Sequence, residues 1–319
     1  MTRRRPAGSN WGDYGEGDRI GRLNELTDER VVRAAAEIRT GRRFCLSLPL
    51  DYPGGNVVFP FRHPPQRTPV DRGGGMPTVD YPLSRTREGA TGVVNDDVVT
   101  LWTQYSTQWD AFGHIGSHFD ADGDGEDEVV YYNGHYPGPD VDGMATIGLQ
   151  ARGVMVDLQR VYGEQKTAVD HAMLTQIMDE QRAVVEPGDV LALRTGWTQL
   201  LLEMNRAPDK DVVHARCAGL DGRDPELLRW IADSGVAAIV ADNVAVEHYP
   251  PRPGPPGAPL LPLHELCLFK LGINLGEMWY LTELADWLRE HERTRFFLTA
   301  PPLRLRGHVG SPVTPIATV

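Results

Sequence analysis

Apolar runs broken by turn signals divide the chain into alternating strands and helices. Nearly continuous apolar stretches in "RGVMVDL", "DVLALRTG" and "VAAIVADN" predict strands covered on both faces. "RRFCLSLPL" alternates and predicts a strand, and "DVVTLWTQ" and "RFFLTAPPL" predict two more. Apolar positions three and four apart predict helices in "LTDERVVRAAAEIRTG", "AVDHAMLTQIMDEQ", "DPELLRWIADSG", "LPLHELCLFKLGI" and "LTELADWLREHE". Thr27 is placed to cap the first of these and Gly41 to stop it. Pro225 stands in the first turn of the helix that Gly235 closes, and Pro187-Gly188 turns into the strand "DVLALRTG". The pattern is mixed α/β. "DVVTLWTQ" is expected to deliver the polar residues that follow it at its own end, because open α/β sheets place their sites at strand ends.

No repeat and no long linker divides the chain, so residues 1–319 are expected to form a single domain. Within it, 1–40 read as a polar N-terminal arm and helix. Residues 52–97, rich in Gly, Pro and Arg, read as a long irregular region. A stretch of that kind points to a functional loop or an excursion over a partner. The net charge of −12 argues against nucleic acid and against anionic membrane surfaces. No apolar run reaches the ~18 residues of a membrane span. The basic N-terminus lacks an apolar segment and is not expected to be a signal peptide. Cys45, Cys217 and Cys267 are odd in number and far apart, which suits buried thiols and a cytoplasmic protein.

The chemistry concentrates in "WTQYSTQWDAFGHIGSHFDADGD", residues 102–124. Two metal-site spacings overlap there and share His114. One runs leftward through Gln104, Gln108 and Asp110; the other runs rightward through His118 and Asp120. Asp120, Asp122 and Asp124 with Gly125 match the opening positions of a calcium loop, although Tyr131 stands where its closing glutamate belongs. The alternative for these aspartates is a solvated acidic turn. Arg194-Thr195 and Asp242-Asn243 mark further polar strand ends, and Glu247 and His248 read as surface or supporting positions.

Residues 104–114, Gln-Tyr-Ser-Thr-Gln-Trp-Asp-Ala-Phe-Gly-His, resemble the motif His-x-Gly-Thr-His-x-Asp-x-Pro-x-His of the cyclase family of metal-dependent hydrolases. That family includes bacterial kynurenine formamidase and isatin hydrolase. Thr107, Asp110 and His114 match, Gln104 and Gln108 replace the first two histidines, and Phe112 replaces the proline. "SNWGDYGEGDRIGRLNELT", "YYNG", "PGDVLALRTGW", "ADNVAVEHYP", "LHELCLFKLGINLGEMWYL" and "GSPVTPIA" extend the resemblance over nearly the whole chain.

The resemblance implies a swivelling β/β/α fold, a mixed sheet core flanked by helices, in a homo-oligomer such as a dimer or tetramer. It implies a later His and Glu as metal ligands, which fall on His264 and Glu277, and an acid/base role for His114. With two imidazoles replaced by weaker amide oxygens, Asp110, His264 and Glu277 are left to hold one divalent ion, zinc or manganese. The expected activity is hydrolysis of an amide, lactam, lactone or ester carbonyl in a small cyclic or aromatic substrate. Water would be activated at the metal or by His114. Gln104 and Gln108 would donate hydrogen bonds to substrate, and Trp109, Phe112 and Tyr131 would line an aromatic pocket. Two alternatives stand beside this one. The first is a metal-poor cyclase, dehydratase or isomerase using His114 and Asp110 as an acid/base pair; the second is a non-catalytic binding protein on the same scaffold.

Overall fold

The computed structural model describes residues 4–319. Its centre is one mixed sheet of nine strands. In chain order these are β1 (Arg43–Cys45), β2 (Gln108–Asp110), β3 (Gln150–Asp157), β4 (Val190–Arg194), β5 (Ala238–Ala241), β6 (Asn274–Glu277), β7 (Arg295–Thr299), β8 (Gly310–Pro312) and β9 (Ile316–Thr318). They lie in the order β1-β9-β7-β3-β4-β5-β6-β2-β8. Strands β3 to β6 run parallel, and β2 returns antiparallel against β6.

The apolar runs are continuous because both faces of the sheet are covered. Val154, Val156, Leu191, Leu193, Ile239 and Ala241 pack on one face; Met155, Val190, Ala192, Ala238 and Val240 pack on the other. Successive residues simply alternate between two cores. Helix α1 (Asp28–Ala35) is the first α-helix of the described residues and follows a 3-10 turn at Gly21–Glu25. The first face is covered by α2 (His171–Gln181) through Leu174 and Ile177, and by α3 (Pro225–Ser234) through Leu227 and Ile231. The second is covered by α4 (Thr282–Glu290) through Leu284, Trp287 and Leu288. Each such buried side chain contributes about 1.5–3 kcal/mol. Thr27, Asp170 and Asp224 cap α1, α2 and α3 with their side-chain oxygens.

Several expectations shift. α1 ends at Ala35, well before Gly41. "DVVTLWTQ" does not carry the polar motif: only Asp97–Thr100 is a strand, and it pairs with Gln66–Pro69 outside the main sheet. Every residue of that pair is exposed. The motif sits instead on β2, after a turn. Residues 52–97 also contain the short strands Tyr81–Pro82 and Val93–Val94, so the region is an excursion with ladders of its own. Cys45 is exposed while Cys217 and Cys267 are buried, and all three thiols are free. Among the described residues no helix is long and apolar enough to cross a membrane.

Candidate metal centre

The register of β2 against β6 builds the site. Gln108 and Asp110 are two residues apart and therefore share a face, and Gln108 lies opposite Glu277. Asp110 lies opposite Leu275, whose side chain belongs to the core under α2 and α3, so all three polar residues face that side. His264 comes down onto the same face at the end of a helical turn, Pro262–His264, which continues as a π-helical segment, Glu265–Leu271. Leu263, Cys267 and Leu268 anchor that segment in the core. Ligating atoms of Asp110, His264 and Glu277 all lie within 4.8 Å of one another, and all three residues are buried.

His264 Nε2 is 3.3 Å from Glu277 Oε1 and 4.0 Å from Asp110 Oδ2. Its Nδ1 is 2.8 Å from Glu247 Oε1. Burial lowers the basicity of His264, but the Glu247 and Glu277 carboxylates outweigh it and push the ring up to about 10. Burial raises Asp110 above the usual carboxylate range, opposed by His114. Burial acts the same way on Glu277, but the His264 contact wins and lowers it. The fit to a cation is visible in unmet valence: Asp110 Oδ2 and Gln108 Oε1 are buried acceptors with no hydrogen-bond partner. Orphaned buried acceptors are rare because each costs about 1–3 kcal/mol. One imidazole nitrogen, two carboxylates and an unsatisfied amide oxygen are a suitable donor set for a divalent ion.

Both glutamines serve the site's own residues rather than standing free. Gln108 Nε2 donates to Glu277 Oε2 at 3.1 Å and to Asp110 Oδ1 at 3.5 Å, which uses both of its N–H groups. Gln104 Oε1 accepts from Thr103 Oγ1 at 3.0 Å, and this turns its Nε2 toward His114 Nδ1 at 3.2 Å. His114 is half-buried, with its ring centroid 6.5 Å from that of His264. With Nδ1 accepting, the proton of a neutral His114 ring resides on Nε2.

The aromatic expectations are redrawn by the period of β2. Trp109 points away from Gln108 and Asp110, is fully buried, and meets Trp279 edge-on at 5.0 Å on the opposite face. Phe112 packs on Tyr132 at 4.8 Å inside the core. Tyr131 lies against Gly116 and Gly138, where a Cβ would strike its ring. None of these contacts is with the Asp110, His264 and Glu277 group.

His118 is exposed on a hairpin, Ser117–Phe119 against Glu128–Val130, and does not join His114 in a cluster. Asp120, Asp122 and Asp124 do approach within 4.8 Å. Asp120, however, is ion-paired with Arg4 and accepts the Gly123 and Gly125 N–H groups, so local partners already satisfy it.

Two further residues enter, one that sequence reasoning had left open between surface and support and one that it had not placed. Glu247 is fully buried behind His264. Arg62, from the 52–97 excursion, lies over the Phe59 ring at 5.0 Å and donates to the Gln104 carbonyl. Its charge lowers both Asp110 and Glu277. The Gly- and Pro-rich setting marked the region, but nothing local marked this arginine.

A mixed nine-stranded sheet flanked by helices, carrying a buried Asp–His–Glu group at the β2–β6 junction, defines an enzyme of the hydrolase and cyclase class. The chain belongs to the cyclase family: residues 45–248 match the family model described as "Putative cyclase". A crystal structure described as a novel cyclase is 30% identical, with 98% of this chain and 99% of that one covered and a TM-score of 0.78. Isatin hydrolase A from Labrenzia aggregata, bound to benzyl benzoate, is 16% identical over 93% of this chain and 98% of its own, with a TM-score of 0.59. Isatin hydrolase A from Ralstonia solanacearum is 16% identical over 91% and 97%, with a TM-score of 0.60. These two show a shared fold. No curated protein matches the chain in sequence.

Proposed function

We propose that this chain is a metal-dependent hydrolase. It adds water to an amide, lactam, lactone or ester carbonyl of a small cyclic or aromatic substrate. The observation that carries this is the convergence of Asp110 with His264 and Glu277, which lie far from it in sequence, around unsatisfied buried acceptors. Asp110, His264 and Glu277 would hold a zinc or manganese ion. When bound there, such an ion polarises a carbonyl and lowers the pKa of water toward neutrality.

The chain's own residues do the rest. Gln108 ties the two carboxylates together through its amide, fixing their spacing. Gln104 holds His114 with its proton on Nε2, so the neutral ring can donate a hydrogen bond to the negative charge that builds on the carbonyl oxygen or leaving atom, while the proton the leaving atom gains comes from the attacking water. Arg62 offers its guanidinium to the carboxylate that hydrolysis creates. The metal-poor alternative would use His114 with Asp110; the hydrogen bond that His114 makes is to Gln104, and it acts on Asp110 through charge alone. We assign the protein to the cytoplasm and to a homo-oligomer, with the exposed excursion at 66–100 as the surface that a second copy would cover.

The test is turnover of a panel of cyclic amides, lactones and aryl esters by protein loaded with zinc or manganese. Hydrolysis abolished by Asp110→Asn and restored by no other cation supports the reading. A folded, metal-loaded protein inert to the whole panel contradicts it.

A further inference from the structure

Glu247 is buried, yet among the described residues its carboxylate forms no ion pair with a lysine or arginine. It accepts three N–H groups instead: Nδ1 of His264 at 2.8 Å, the backbone N of His264 at 3.0 Å and the backbone N of Leu263 at 3.1 Å. A carboxylate so placed fixes both the position of His264 and the orientation of its ring. With Nδ1 donating to Glu247, the lone pair of a neutral ring is left on Nε2, the atom that faces Glu277 and Asp110.

The backbone that carries Glu247 is strained to do this. Ala245 and Val246 both adopt left-handed conformations, with φ of 71° and 57°. For a β-branched residue that conformation is an outlier, and it persists only where the surroundings over-determine it. Here they do. Asn243 Nδ2 donates to the Ala218 and Val246 carbonyls, and the Val246 carbonyl also accepts from Leu220 N at 3.2 Å. Two glycines clear the space. A Cβ on Gly219 would lie 2.7 Å from His248 N and 2.8 Å from Glu247 C. A Cβ on Gly222 would lie 2.7 Å from Glu247 Oε2 and 3.0 Å from Leu263 N.

We propose that Glu247 is the positioning residue of the metal centre, and that the strained turn at Asn243–Val246, with Gly219 and Gly222, is a cradle built to hold its carboxylate against His264. This rests on the metal reading of the site given above.

A merely structural role, holding the helical turn at Leu263, would change stability alone. The experiment therefore reads metal affinity and the His264 proton. Zinc and manganese are titrated calorimetrically against a competing chelator into wild-type protein, Glu247→Gln and Gly222→Ala. Circular dichroism establishes folding. Partners of this kind are typically worth 10–100-fold in metal affinity, so both variants should bind about 10–100-fold more weakly with the fold retained. Gly222→Ala touches no ligand and keeps the proposal testable if Glu247→Gln does not fold. In wild-type protein labelled with 15N-histidine, His264 should show a slowly exchanging proton on Nδ1. Folded variants that bind both ions within roughly twofold of wild type would overturn the proposal, since that is far below the expected loss. So would a His264 ring without a proton on Nδ1. A wild type that binds neither ion would refute the metal reading instead, and the exchange rate of the His264 Nδ1 proton in Glu247→Gln against wild type would then decide the hold of Glu247 on His264: faster exchange in the variant supports it, an unchanged rate overturns it.

Discussion

At the residue scale, two glutamines where relatives of the motif carry histidine do not leave holes. Gln108 bridges Glu277 and Asp110, and Gln104 orients His114. Imidazole is the better ligand for zinc, so Gln108→His should raise zinc affinity while loosening the two carboxylates that the amide now ties together; calorimetric titration against the parent checks it. His114→Ala should lower kcat by about 100-fold or more with the fold intact, the usual range for losing a donor to charge that develops in the transition state. Steady-state rates near wild type would remove His114 from the reaction. The pH dependence of metal binding follows from His264. Despite burial, the Glu247 and Glu277 carboxylates push its ring up to about 10, so at lower pH an incoming cation must displace a proton from it. Affinity should therefore climb as pH rises from 6 to 9, by roughly tenfold per unit for each proton released. Calorimetry in buffers of different ionisation enthalpy counts the protons, and a pH-independent affinity would contradict the assignment.

At the element scale, parallel strands end in polar residues that cross-link their neighbours. Asp242, just after β5, accepts from the Thr195 hydroxyl at 2.7 Å and from Gly196 N at 2.8 Å, just after β4. Burial raises its carboxyl to about 6, with the Thr195 and Gly196 hydrogen bonds opposing. A folded-state pKa above the unfolded value gives stability that is present below about 4 and lost as pH rises through about 6. At 1.36 kcal/mol per unit the loss is on the order of 3 kcal/mol. Asp242→Asn cannot ionise, so its melting temperature relative to wild type should rise as pH goes from 4 to 7. A difference that stays flat across that range would show that Asp242 is already ionised below pH 4.

The same elements show what the sequence could and could not reveal. β3, β4 and β5 were legible because strands buried on both faces need unbroken apolar runs. β6, with Asn274, Gly276 and Glu277 among its four residues, carried no such run, and neither did β8, Gly-Ser-Pro. Their pairing is set by β2 between them and not by local propensity. Trp109 was read as a pocket residue from its neighbours in the motif, whereas the period of two along a strand sends it to the opposite core. Glu247 stayed open between surface and support because a carboxylate before a Pro-rich loop looks like surface. Only the left-handed turn at Ala245 and Val246, invisible in composition, buries it.

At the scale of the whole molecule, a sheet closed by short antiparallel strands brings residue 110 to residues 264 and 277, while residues 52–97 reach over the junction with Arg62. Arg62→Gln should raise KM for substrates that yield a carboxylate and weaken inhibition by benzoate, with metal content unchanged. Equal inhibition of both proteins by benzoate would exclude Arg62 from product binding. The central claim is that Asp110, His264 and Glu277 hold one divalent cation. Elemental analysis after zinc or manganese loading and gel filtration tests it most directly. About one ion per chain is expected for wild type, the loading of a single three-ligand site, and close to none for folded His264→Ala or Asp110→Asn. Wild-type protein that retains no ion, or variants that retain as much as wild type, would contradict it.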